Sequence, residues 1–152
     1  MSSMISKAWG EVVRPMFKRP SAFQVAALCY RKNEGRKEVL LITTLGTGRW
    51  MLPKGWPMDG KTAAEAARIE AWQEAGVKSK RVGRKPVGQF AYIKHHDDGL
   101  EQPCSARVYP IKVSEFLEDY PEAGQRKRKW VPLATAADLV EEDSLKALLR
   151  SF

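Results

Sequence analysis

The chain has 152 residues, a formal net charge of +8 and a hydrophobic content of 43%. That length fits one domain with its own core, and the apolar content, with five tryptophans, excludes a disordered chain. Two cysteines cannot build a disulfide framework, and no apolar stretch approaches the ~20 residues that span a bilayer. No basic segment followed by an apolar core opens the chain, so the expectation is a reducing cytoplasm, with no membrane partner.

Residues 1–20 read as a lead-in or tail ending at Pro20, and 21–152 as the folded domain. Phe23–Tyr30 and Val39–Thr44 are short apolar runs separated by the polar Arg31–Lys37, a pattern for a hairpin of strands covered on both faces. Cys29 lies inside the first run, and it and Cys104 read as reduced packing residues. Trp50–Leu52 is a third short strand, closed by Pro53. Thr62-Ala-Ala-Glu65 is a capping box, so a helix is expected from Ala63 to the stop at Gly76. Trp50 and Trp72 read as packing residues.

Farther along, Val82–Ile93 and Ala106–Val113 read as strands, Ser114–Gln125 as a loop, and Lys129–Val131 as a last short strand. Thr135–Val140 and Ser144–Arg150 read as helices, the latter with apolar residues at i, i+3 and i+4. Strands and helices mixed in this order predict a small α/β domain in which a mixed sheet lies between helices.

Basic residues cluster at Arg14–Arg19, Lys78–Lys85, Lys94–His96 and Arg126–Lys129. Such fields attract polyanions, either nucleic acid or a small, densely phosphorylated metabolite. No base-stacking motif accompanies the clusters, which favours the metabolite. Adjacent His95 and His96 point to opposite faces of a strand and are given no catalytic role.

The expected helix carries Glu70 and Glu74 four apart, on successive turns of one face. Two carboxylates so placed suit a hard divalent cation that keeps several waters.

The stretch from Gly55 to Val77 resembles the signature of the Nudix pyrophosphohydrolases. In that signature a Gly is followed after five residues by Glu, and after seven more by Arg-Glu, an apolar residue, any residue, Glu-Glu, any residue, Gly and an apolar residue. Gly55, Glu70, Ala71, Glu74, Gly76 and Val77 fall in register, led in by Leu52-Pro53-Lys54. Three positions depart: Lys61 for the first Glu, Ile69 for the Arg, and Gln73 for the first member of the Glu-Glu pair. Ser114–Tyr120 and Arg126–Trp130 resemble the diphosphoinositol polyphosphate and diadenosine polyphosphate hydrolase branch, so the likeness covers roughly residues 22–140.

The resemblance implies a Nudix fold and Mg²⁺- or Mn²⁺-dependent cleavage of phosphoanhydride bonds in a polyphosphorylated, anionic substrate. It implies catalysis through Glu70, Gln73 and Glu74, with Glu70 and Glu74 as metal ligands and Glu122 as a further one. Asp97, Asp98 and Glu101 are weaker candidates for that further ligand. Lys54 and Gly55 would approach phosphate, and Arg126 and Arg128, on one face of an extended segment, would contact it.

The departures point to reduced activity. Gln73 keeps an oxygen but cannot take a proton at neutral pH. An arginine at position 68 is turned by ~100° from position 69 and cannot replace the fork lost at Ile69. The alternative reading is a catalytically impaired Nudix domain that binds a nucleotide or polyphosphate as a sensor.

Overall fold

The computed structural model describes residues 22–152, so the lead-in and the cluster Arg14–Arg19 lie outside the described residues. The first hairpin forms as the sequence predicts. Strand β1 (Ala22–Asn33) pairs antiparallel with β2 (Arg36–Thr43) up to Asn33↔Arg36. The two-residue turn between them has both residues left-handed, Glu34 at φ 51° and Gly35 at φ 78°, the handedness that matches strand twist.

Each buried strand alternates its side chains between two faces. Along β1, Val25, Ala27 and Cys29 face one core, whereas Ala26 and Leu28 face the other. The first core is closed by α1 (Ala63–Ala75) and the second by α2 (Leu133–Leu139) and α3 (Asp143–Ser151). The expected arrangement of a mixed sheet between helices is therefore present. Both cysteines are buried free thiols.

The sheet has seven strands, with the path β3 (Trp50–Met51), β2, β1, β7 (Glu101–Lys112), β6 (Gly88–His95). Its long central pair, β1 with β7, is parallel from Ala22↔Cys104 to Tyr30↔Lys112. Two short strands branch from this path. Strand β4 (Lys54–Gly55) pairs with β1 at Val25↔Gly55 and Ala26↔Lys54, and β9 (Arg128–Pro132) pairs with β2. The β1–β2 ladder runs over Tyr30–Asn33, and the β1–β4 ladder over Val25–Ala26. The change of partner along β1 opens the sheet, and the principal cavity lies there.

Helix α1 has the ends that its sequence encodes. Thr62 accepts from the Glu65 N–H while the Glu65 carboxylate accepts from the Thr62 N–H, and Gly76 is left-handed at φ 70°. Its buried residues are all alanines: Ala64, Ala66, Ala67, Ala71 and Ala75. Such small side chains let the helix backbone lie close to the sheet.

Other boundaries differ from the sequence reading. The strand expected over Val82–Ile93 begins only at Gly88 and runs to His95. Before it, Val82 makes an isolated bridge to Ile111, and Arg84-Lys85-Pro86 interrupts the ladder. Strand β7 starts at Glu101, five residues before the expected Ala106, because its polar first half completes the β6 hairpin down to His95↔Glu101. The expected loop Ser114–Gln125 contains β8 (Glu115–Phe116), which pairs with β5 (Val77–Lys78).

Candidate metal and phosphate site

A cavity of about 650 Å³ opens where β1 changes partners. Helix α1 brings Glu70 and Glu74 to it, β4 brings Lys54 and Gly55, and the bend before β9 brings Arg126. Close approach of α1 to β4 makes this meeting possible. A Cβ built on Gly55 would stand 1.9 Å from Glu70 Oε2, so only glycine leaves room for that carboxylate.

Each carboxylate has defined neighbours. The Lys54 N–H donates to Glu74 Oε1 at 3.2 Å, and Arg126 Nη2 donates to Glu74 Oε2 at 3.5 Å. Arg126 Nη1 donates to Glu122 Oε1, so one guanidinium forks between two acids while only 10% of its side chain is exposed. Burial, then the charges of Glu74 and Glu122, push the Glu70 carboxyl up to about 7 against the pull of Arg126 and Lys54. Burial also raises Glu74 and lowers Lys54, whose ammonium sits 4.8 Å from the Tyr92 ring centre.

The donor set fits a hard dication held by few protein ligands. Among the described residues no group of three or more His, Cys, Asp or Glu side chains is placed to hold a metal. Glu70 and Glu74 offer two carboxylates in the cavity, and Glu122 is tied to Arg126 just outside its lining. Two carboxylates, with water and phosphate oxygens completing the shell, match the way Mg²⁺ is bound. Burial is the larger cause of the raised Glu70, and a dication would offset the repulsion that Glu74 and Glu122 add to it.

Several expected site residues stand elsewhere. Gln73 does not line the cavity; its main-chain carbonyl accepts from the Glu122 N–H at 3.0 Å and so anchors the loop that carries Glu122. Arg128 does not share a face with Arg126, because Arg126 precedes β9 and the strand alternation does not reach it. Instead Arg128 donates to the carbonyls of Ala75 at 3.0 Å and Leu117 at 2.8 Å, and its guanidinium lies 3.9 Å from the Phe116 ring centre. It ties the end of α1 to the β8 segment.

Ile69 lines a separate shallow pocket beside Trp72, and Lys61 is exposed at the entry to α1. His95 and His96 reach the cavity rim, paired with Glu101 at 3.3 Å and Gln102 at 2.9 Å. Asp97 also reaches that rim, while Asp98 Oδ1 accepts from the Leu100 N–H.

Sequence reasoning missed Gln24, Arg49 and Tyr92 and gave Lys94 only as part of a basic cluster; all four line the cavity. Gln24 is 2% exposed and accepts from the Tyr92 hydroxyl. Its signal was legible, a polar residue in the otherwise apolar run Phe23–Tyr30. Arg49 pairs with Glu142, 93 positions away, and had no such signal.

The sequence matches the Nudix domain over residues 22–151. The chain belongs to the Nudix family. It is 32% identical over 134 residues to human diphosphoinositol polyphosphate phosphohydrolase 3-beta, covering 85% of this chain and 71% of that protein. It is also 31% identical over 118 residues to the mitochondrial Nudix hydrolase 12 of Arabidopsis thaliana, covering 76% of this chain but only 58% of the plant protein. Among solved structures, the binary complex of a C. elegans Ap4A hydrolase superposes with a TM-score of 0.63 at 20% identity, over 86% of this chain and 94% of that one. The fold of this Nudix domain brings its box helix against the sheet opening. Among the described residues no helix is long and apolar enough to cross a membrane.

Proposed function

We propose that this Nudix domain hydrolyses phosphoanhydride bonds in a highly phosphorylated metabolite, a dinucleoside polyphosphate or a diphosphoinositol polyphosphate, with Mg²⁺ or Mn²⁺ as cofactor. One observation carries the reading: two box carboxylates and four cationic side chains, Lys54, Arg126, Arg49 and Lys94, surround a single cavity. Acids alone would suit a metal store, and cations alone a passive anion site. Together they suit a reaction in which a metal and a phosphate chain meet.

Glu70 and Glu74 would hold the cation, with Glu122 at the edge of the site. When bound, that cation neutralises phosphate charge and makes a coordinated water more acidic. Lys54 and Arg126 bind and orient the phosphate chain, Arg126 through a planar fork that matches two phosphate oxygens. Gly55 permits the backbone of β4 to come close. Two buried free thiols suit a reducing compartment such as the cytoplasm.

The test is release of phosphate or nucleotide products over a panel of polyphosphorylated substrates with Mg²⁺. Glu74→Gln should lower turnover by at least about a hundredfold. Because the Gln73 side chain lies off the cavity, Gln73→Glu should change turnover far less than the ~10²–10⁴-fold that a directly acting base contributes. If wild type and Glu74→Gln are equally inactive while both bind the substrates, the enzyme reading fails and a sensor replaces it.

A further inference from the structure

Arg49 reaches the cavity from the turn between β2 and β3, and two of its three guanidine nitrogens are already held. Nε donates to Thr47 Oγ1 at 3.4 Å, and Nη1 donates to Glu142 Oε2. Nη2 has no hydrogen-bond partner among the described residues, so one nitrogen of the fork is left for a ligand. The turn is itself tied to Arg49. The Arg49 N–H donates to Thr44 Oγ1 at 3.0 Å, the Thr44 N–H donates to the Arg49 carbonyl at 2.8 Å, and the two threonine hydroxyls stand 2.7 Å apart.

Glu142 comes from the far end of the sequence. It is the residue before α3, where a side chain ordinarily caps the helix, yet its carboxylate makes no cap bond. Among the described residues Arg49 is its one side-chain partner, and the two are 17% and 8% exposed, Arg49 and Glu142 in that order. The other carboxylate oxygen, Oε1, is buried and unpartnered. The amino end of α3 and the Arg49 guanidinium together supply the positive charge that a buried carboxylate needs. A glutamate that neither caps its helix nor meets solvent has one evident task, which is to hold Arg49.

We propose that Glu142 is a positioning residue, which acts through Arg49 by fixing its guanidinium so that Nη2 is presented to the phosphate chain. The inference rests on that part of the proposed function which puts a phosphate chain in the cavity. A free arginine is a long side chain with many rotamers, and ordering it on a ligand costs affinity. Thr47 and Glu142 remove that cost before the ligand arrives, and the planar fork meets phosphate oxygens in one orientation. Charge alone argues the opposite. A carboxylate beside the cavity repels a polyphosphate, so if Glu142 acted only as a charge its removal would tighten binding. The two roles therefore predict opposite signs.

Equilibrium binding of inorganic tripolyphosphate in Mg²⁺ reads that sign. Glu142→Ala should weaken binding at least about threefold, and Glu142→Leu, which fills the space without an acceptor, should do the same. Glu142→Gln keeps an oxygen that can accept from Nη1 and should recover most of the affinity. On an Arg49→Met background, Glu142→Ala should weaken binding no further, since no guanidinium is left to orient. Unchanged or tighter binding in the Ala and Leu variants overturns the assignment. So does equal weakening with and without Arg49, which would put the effect in the fold of α3. A wild type that shows the expected pattern but cleaves no polyphosphorylated substrate keeps the positioning role and loses the hydrolase reading. One that cleaves such substrates without the pattern loses only the role of Glu142, and one that binds no tripolyphosphate loses both.

Discussion

Arg126 holds two acids at once, and it does so in a box that has lost its own arginine at Ile69. A guanidinium still reaches the box carboxylate Glu74, delivered from a loop 52 positions away rather than from the neighbouring turn of the helix. Arg126 offsets only part of the negative charge, because Glu70 remains pushed up to about 7 by burial and by Glu74 and Glu122. Glu70 therefore binds its proton more strongly in the folded chain than in the unfolded one. Its contribution to stability is fully present below the ordinary value of 4.5 and is lost as pH rises toward 7. The metal-free protein should lose melting temperature across that interval, and Glu70→Gln should flatten much of the loss. The raised Glu74 leaves a residual slope of the same sign. Thermal melts of the two proteins from pH 4 to 8 check this, and identical slopes would refute it.

At the scale of elements, the site depends on how closely α1 lies to β4. Five buried alanines allow that approach, and Gly55 completes it by leaving Glu70 Oε2 where a Cβ would otherwise stand. Gly55→Ala should displace the Glu70 carboxylate, the free end of a flexible side chain, and cost little in fold stability. Metal affinity should fall by about 10–100-fold, read by titration with Mn²⁺ followed by its electron spin resonance. A variant that binds Mn²⁺ like wild type would show that Glu70 needs no such clearance. On the same helix, Arg128 closes the carboxyl end by bonding the carbonyls of Ala75 and Leu117, the work of a cap rather than of a substrate ligand.

For the whole molecule, the net charge is +8, and four of its cationic side chains, Lys54, Arg49, Lys94 and Arg126, line the sheet opening together with the acids Glu70, Glu74 and Asp97. Long-range attraction of this kind draws in an anionic substrate and is screened by salt. The KM for a polyphosphate substrate should rise at least about threefold between about 0.05 and 0.5 M KCl while kcat changes less. Steady-state kinetics at fixed free Mg²⁺ measure it, and a salt-independent KM would mean that binding is carried by uncharged contacts.

Local chemistry determined much of this protein from sequence alone. The hairpin of β1 and β2, the capping box at Thr62 and Glu65, the stop at Gly76 and the i, i+4 carboxylates all rest on neighbours within a few positions. Tertiary structure decided the remainder. Strands of two residues, such as β4 and β5, are too short to show any periodicity, so their pairing with β1 and β8 follows only from the packed sheet. The polar start of β7 becomes strand because β6 needs a partner there. Arg126 and Arg128 read as equivalent phosphate ligands in the sequence. In the fold one forks between acids at the cavity and the other seals a helix end. Residue type sets which contacts a guanidinium can make, and only the packing of distant segments sets which of them it meets.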